Sequence, residues 1–244
     1  MATRRGQLLD GVLLLDKPEG LSSNHALQRA KRTVDARKAG HTGTLDPFAT
    51  GLLVLCMGKA TKISGKMLDA DKRYLATVSF GAETDSGDLT GAVVSQAGED
   101  FAGVEREALE QAIIAFRGEI QQIPPMYSAL KRDGVPLYKY AREGIELERP
   151  PRTVTIHRLD LLSCDGRQAV IDVECSKGTY IRTLAQDIGR ALGCGAHLVA
   201  LRRTRIGPFS LDDAISLEQL QAMPTPAQVL LPLDKLPAGL WPAA

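Results

Sequence analysis

The stretch Gly40-His41-Thr42-Gly43-Thr44-Leu45-Asp46-Pro47-Phe48-Ala49-Thr50-Gly51 holds the residue types most able to do chemistry. It carries a single acid, Asp46, among hydroxyls and glycines, with the imidazole of His41 just upstream. The glycines let the backbone turn sharply and come close to a ligand. Pro47 fixes its own φ and biases Asp46 away from helix. A carboxylate so placed can act as a nucleophile, a general base or a metal ligand, or it can cap a turn without any chemistry. The metal role needs further oxygen or nitrogen ligands, and the local sequence supplies none.

Such a loop works only if rigid elements hold it. Upstream, residues 11–15 are apolar and read as a buried strand that runs into a turn at Asp16, Lys17 and Pro18. Ser22, Ser23 and Asn24 then offer caps for a helix through about Val34, with Ala26, Leu27, Ala30 and Val34 as its buried stripe. Residues 38–50 show no period and are expected as loop. Residues 51–57 are continuously apolar and read as a buried strand, followed by a short helix over about 61–68. Tyr74, Ala76, Val78 and Phe80 alternate on one face of a strand over 73–80. A polar turn over 84–90 leads to a short strand at 92–95.

The spacing of Leu109, Ala112, Ile113 and Phe116 predicts an amphipathic helix over 106–116. Residues 123–129, with Pro124 and Pro125, are extended. Strands are expected over 154–162, 169–175 and 197–204, and a helix over 181–192 ended by Gly193 and Gly195. Strands and helices mix without a strict βα repeat. That predicts an α+β fold with a mixed, largely antiparallel central sheet flanked by helices and loops. The proline-rich end from Met223, with Pro224, Pro226, Pro232, Pro237 and Pro242, reads as a linker or tail.

Lys plus Arg is 30 and Asp plus Glu 29, so total charge gives no pointer to nucleic acid. The distribution is uneven, however. Basic residues crowd 29–38, recur at Lys59, Lys62 and Lys66, and return at Arg202, Arg203 and Arg205, which suits docking of phosphate on one face. Cys56, Cys164, Cys175 and Cys194 form no C-x-x-C pair and stand at no metal-ligand spacing from the four histidines. With no signal peptide and no membrane-length apolar run, a cytoplasmic, reducing setting is expected, with no membrane partner. There is neither a G-x-G-x-x-G nor a P-loop, which argues against a nucleotide cofactor.

The loop around Asp46 resembles the catalytic motif of the TruB family of pseudouridine synthases, G-H-x-G-T-L-D-P-x-A-x-G-x-L, at every specified position. Five other ordered blocks are similar to that family. They are Val12 to Gly20, Lys72-Arg73-Tyr74, Gln122 to Leu130 with Lys131 and Gly134, Lys177-Gly178-Thr179-Tyr180-Ile181-Arg182, and Ala200-Leu201-Arg202-Arg203-Thr204. The resemblance spans roughly residues 10–215. It implies the pseudouridine synthase fold, with a catalytic domain over 1–215 and a C-terminal tail or remnant over 216–244. The tail is too short for the PUA-type RNA-binding domain that bacterial members usually carry.

The implied reaction isomerises a uridine to pseudouridine at position 55 in the T-loop of tRNA. No redox change or group loss occurs, so neither cofactor nor metal is expected. Asp46 is the implied catalytic carboxylate, attacking C1′ of the ribose or removing the C2′ proton. Burial disfavours a carboxylate's charge, so a cation is needed beside it, and Arg182 is the candidate. Tyr74 is the candidate to stack on the base and to handle a proton, while Tyr180 and Leu201 line the pocket. His41 is the candidate to fill the space left by the flipped nucleotide, since unstacking a base costs a few kcal/mol. Lys17, the 29–38 cluster, Arg202 and Arg203 are candidate phosphate contacts. The T-arm of tRNA is the expected partner, with no obligate protein partner and a monomeric chain. The competing readings are a tRNA-folding chaperone that needs no catalysis and a guide-dependent synthase.

Overall fold

Ser22 begins the first helix by accepting a hydrogen bond from His25 N at 3.2 Å through its side chain. In the computed structural model, which describes residues 6–241, the elements then follow one another closely. They are β1 (Gly11–Lys17), α1 (Ser23–Thr33), β2 (Ala39–His41), β3 (Thr50–Met57), α2 (Ser64–Asp69), β4 (Lys72–Phe80), β5 (Ala82–Thr84), β6 (Val93–Gln96), α3 (Arg106–Ile114), β7 (Gly118–Gln122), β8 (Lys131–Arg132), β9 (Val135–Pro136), α4 (Leu137–Arg142), β10 (Arg152–Cys164), β11 (Gln168–Cys175), α5 (Ile181–Ala191), β12 (Ala196–Ile206), β13 (Phe209–Ser210), β14 (Ile215–Ser216) and α6 (Leu217–Ala222). Short 3-10 turns stand at Gly58–Ile63, Leu211–Asp213, Pro226–Val229 and Leu233–Lys235.

The chain forms two compact units, Met1–Tyr74 with Leu201–Ala244, and Leu75–Ala200. In the first, the strand order is β14-β1-β3-β12, with β2 on β3 and β13 on β12. β1 and β3 are antiparallel, Gly11 facing Met57 and Lys17 facing Gly51. Side chains alternate between the faces of a strand. Leu13, Leu15, Leu53 and Leu55 therefore meet α1 and α6 through Ala26, Leu27, Leu217 and Leu220. Val12, Leu14, Leu52, Val54 and Cys56 meet Ile63, Met67, Ile206 and Phe209 on the other side. Both faces are covered, which is why these strands are continuously apolar.

In the second unit the order is β4-β11-β10-β7, and the pairs of β10 with β11 and with β7 are antiparallel. Val154, Ile156, Leu159, Ile171 and Val173 are buried in the sheet, and Leu109 and Ile113 of α3 are buried with them. Helix α5 buries Ile181, Leu184, Ala185 and Ile188, and Gly193 follows it at φ +71°, where a glycine relieves the left-handed turn. The mixed, mainly antiparallel sheets flanked by helices agree with the α+β class expected from the sequence.

Four local expectations change. Ala39–His41, expected as loop, forms β2 by pairing with Met57, Cys56 and Leu55. The helix over 106–116 stops at Ile114, because Phe116 N bonds Ile113 O in a turn. Gly118–Gln122, α4 and α6 are additional elements. The proline-rich end is no free tail: Leu231 and Val12 exchange backbone hydrogen bonds of 2.8 and 2.9 Å, and Leu231, Leu233, Leu236 and Leu240 pack on the core. Pro242 and the polar start before Gly6 lie outside the described residues.

Candidate functional site

The loop bearing Asp46 belongs to the first unit, between β2 and β3. Its backbone is tied on both sides of the acid. Ser23 Oγ, buried at the start of α1, accepts from Leu45 N at 2.7 Å and donates to Leu45 O at 2.9 Å. On the other side, Pro47 O accepts from Gly20 N at 2.8 Å and from Lys17 Nζ at 3.3 Å. Asp46 O accepts from Ala49 N at 3.1 Å, closing a turn, and Thr42 N bonds Val54 O at 3.1 Å. Asp46 itself is half-buried. A carboxylate mounted between two fixed neighbours loses little freedom when it engages a substrate.

Two cations line this loop from within. Lys17 is fully buried and its ammonium also donates to Pro18 O at 2.9 Å and Leu21 O at 2.7 Å. Burial pulls its pKa down to about 8, while the charge of Asp46 opposes that fall. Arg203 is 1% exposed and donates to Leu52 O at 2.8 Å, Gly43 O at 3.1 Å and Thr44 O at 3.4 Å. His41 is held neutral, first by burial and then by the charge of Arg203. Its Nδ1 and the buried Thr42 Oγ1 have no hydrogen-bond partner among the described residues.

Lys17 and Arg203, expected as phosphate contacts, are both buried with donors directed at backbone carbonyls. Arg202 is half-buried and makes a forked pair with Asp16 at 2.7 and 3.1 Å. Among the described residues, the exposed cations of the first unit include Arg29, Arg32, Arg37 and Lys38 around α1, Lys59, Lys62 and Lys66 around α2, and Arg205 and Lys235 nearer the C-terminus. Tyr74 is buried on β4 on the same strand face as Ala76, Val78 and Phe80, and Leu201 is buried on β12.

The remaining candidates, Tyr180 and Arg182, belong to the second unit. The Gln122 side chain clasps Tyr180 by donating to its O at 3.0 Å and accepting from its N at 2.9 Å. Arg182 is buried at the start of α5. It donates to Ser86 O at 2.6 Å and Tyr127 O at 2.7 Å, and its Nε stands 3.8 Å from Asp88 Oδ2. The other carboxylate oxygen of Asp88 accepts from Ser86 Oγ, Thr90 N and Thr90 Oγ1 at 2.9, 2.9 and 2.6 Å. Gly87, at φ +74°, lets this turn lie against α5, since a Cβ there would stand 3.2 Å from Arg182 Cβ.

Ser23, Gln122 and Asp88 were not among the site residues expected from the sequence. The signal for Asp88 was present in Thr84-Asp85-Ser86-Gly87-Asp88, a run of acids and hydroxyls around a glycine. Ser23 and Gln122 act on backbone far away in sequence, which no local pattern announces. Among the described residues no cluster of three or more His, Cys, Asp or Glu could hold a metal ion, and no helix is long and apolar enough to cross a membrane.

The chain is similar to known proteins. The profile of the TruB family pseudouridylate synthase N terminal domain matches residues 31–181, and that of the tRNA pseudouridylate synthase B C-terminal domain matches residues 182–236. The chain is similar to the tRNA pseudouridine synthase B of Bordetella pertussis, 74% identical over 243 residues and covering 100% of each chain. It is similar to that of Aromatoleum aromaticum, 60% identical over 232 residues, covering 94% of this chain and 74% of the other. Among solved structures it is similar to a chain of a Cbf5-Nop10-Gar1 complex at 31% identity and a TM-score of 0.73, covering 93% of this chain and 61% of that one.

Proposed function

The chain belongs to the TruB family of pseudouridylate synthases, and from this premise we infer that it isomerises the uridine at position 55 in the T-loop of tRNA with Asp46 as the catalytic carboxylate. The observation that carries the assignment is the mounting of Asp46, with Leu45 clasped by Ser23 on one side and Pro47 bonded by Gly20 and Lys17 on the other.

In the reaction the N1–C1′ bond breaks and a C5–C1′ bond forms. The C5 proton leaves to solvent and N1 gains one, so atoms balance without a co-reactant. Asp46 assists by adding to C1′ or by taking the C2′ proton, and both routes need it ionised. The family resemblance gives Arg182 as the cation for that charge, and the buried ammonium of Lys17, which feels the charge of Asp46, favours it as well. Tyr74 stacks on the base and handles a proton, and Tyr180 and Leu201 wall the pocket. His41, planar and uncharged, fills the space that the flipped nucleotide leaves and offsets part of the unstacking cost. The exposed cations around α1 and α2 take phosphate charge.

The test uses a tRNA transcript tritiated at C5 of uridine, because C5–C1′ bond formation releases that label into water. Asp46→Asn is expected to release none while still binding tRNA. Turnover near the wild-type level would remove Asp46 from the mechanism. Release from bare transcript, with no guide RNA and no added protein, distinguishes a stand-alone synthase from a guided one.

A further inference from the structure

Arg203 heads the largest fully buried side chains of the described residues, and the reaction as assigned gives it no part. Its position follows from the strands. β12 runs parallel to β3, with Arg203 opposite Gly51. Gly51 has φ +99°, and a Cβ there would stand 2.3 Å from the carbonyl oxygen of Arg203. Only a glycine permits this approach, and the approach aims the guanidinium at the loop that precedes β3.

There the fork spreads over three acceptors. Nε donates to Leu52 O, Nη2 to Gly43 O and Nη1 to Thr44 O. Bonds from a cation to carbonyls are stronger than neutral ones, and a planar guanidinium loses little freedom in making several at once. An apolar side chain of similar length would fill the space without the cost of burying charge. Packing therefore does not call for an arginine here, whereas three carbonyls turned toward one point do.

Gly43 and Thr44 lie immediately before the Leu45-Asp46-Pro47 segment. Ser23 fixes Leu45 and Lys17 fixes Pro47, and Arg203 holds the two residues that precede Leu45, between it and the Thr42 amide bonded to β3. We propose that Arg203 is a positioning residue for the isomerisation, fixing the backbone that leads into Asp46 and so the line along which the carboxylate meets the sugar. It touches neither base nor ribose. This rests on the reading of Asp46 as the catalytic carboxylate. The charge of Arg203 has a second effect on the same loop, since it disfavours protonation of His41.

The test compares Arg203→Met and Arg203→Lys in the full chain, measuring tritium release and amide hydrogen exchange. Arg203→Met is expected to lower kcat by about 100-fold, the scale of a misplacement near 1 Å, with KM and tRNA affinity unchanged. Exchange should quicken at Leu45 and Ala49, whose amides donate to Ser23 Oγ and Asp46 O, while Leu53 in β3 stays protected. Arg203→Lys should recover part of kcat, because an ammonium reaches some of the carbonyls but not all three. A wild-type kcat in Arg203→Met overturns the proposal, as does exchange rising equally in the loop and in β3. A lysine variant no better than methionine overturns it too. If Arg203→Met does not fold, Arg203→Lys decides alone: lowered kcat at constant KM supports the proposal and wild-type kcat defeats it. Asp46→Asn in the same assay separates the two readings. Normal turnover there removes the catalytic carboxylate, whereas an inactive Asp46→Asn beside a normal Arg203→Met defeats the proposal for Arg203 alone.

Discussion

Replacing Ser23 by alanine removes one oxygen and leaves the helix cap in place, because the cap is Ser22. Ser23 is 1% exposed, and its oxygen serves both the N–H and the C=O of Leu45, itself 3% exposed. Each buried backbone group left unpaired costs about 1–3 kcal/mol, so Ser23→Ala, which orphans two, should destabilise the first unit by about 2–6 kcal/mol. With a urea slope of about 2 kcal/mol/M, the midpoint should fall by about 1–3 M at unchanged slope. The freed Leu45 also loosens Asp46, and turnover by tritium release should drop about 10- to 100-fold with tRNA affinity retained. A variant as stable as wild type refutes the accounting of the two bonds. A destabilised variant with full turnover refutes the link from Leu45 to the carboxylate.

Gln122→Leu should cost about 2–6 kcal/mol by orphaning both backbone groups of Tyr180; an unchanged urea midpoint contradicts this. Lys17 titrates near 8 when folded and near 10.5 when unfolded, so the unfolded chain binds more protons between those values. Stability of the wild type relative to Lys17→Met should therefore rise across that window, by about 3 kcal/mol, and stay flat below pH 8. Paired urea titrations at several pH values check it, and a fall with rising pH has the wrong sign. Gly51→Ala combines a left-handed backbone with a Cβ only 2.3 Å from Arg203 O, and should lower stability by about 2–4 kcal/mol; a melting temperature equal to wild type would contradict the close approach of β3 and β12.

Much of this fold is written locally. The caps at 22–24, the stripe of Ala26, Leu27 and Ala30, and the apolar runs of β1 and β3 each follow from a period or a side chain that can bond its neighbour. β2 is not legible in this way, since Ala39, Gly40 and His41 show no alternation and become a strand only because the edge of β3 is there to pair with them. α6 does carry a signature, the reciprocal capping box of Ser216 and Gln219. The prolines beyond it drew the reading toward a tail and away from the leucines that anchor it. The loop of Asp46 stands out by composition, but its supports do not. A lysine and an arginine read as surface charge in a sequence, and only tertiary structure can direct enough carbonyls at Lys17 and Arg203 to bury them.

The backbone exchange between Leu231 and Val12 bears on how the protein behaves when cut. One side of β1 is paired along its length with β3. The other is covered in two patches, by β14 at Leu15 and Asp16 and by Leu231 at Val12. A chain clipped within residues 223–230 would uncover amides and carbonyls beside some of the most apolar side chains in the unit, a template for joining strands between molecules. Proteolysis in that proline-rich stretch should thus be followed by precipitation, and expression trials that trim it should yield insoluble material even though Asp46 and its loop are untouched.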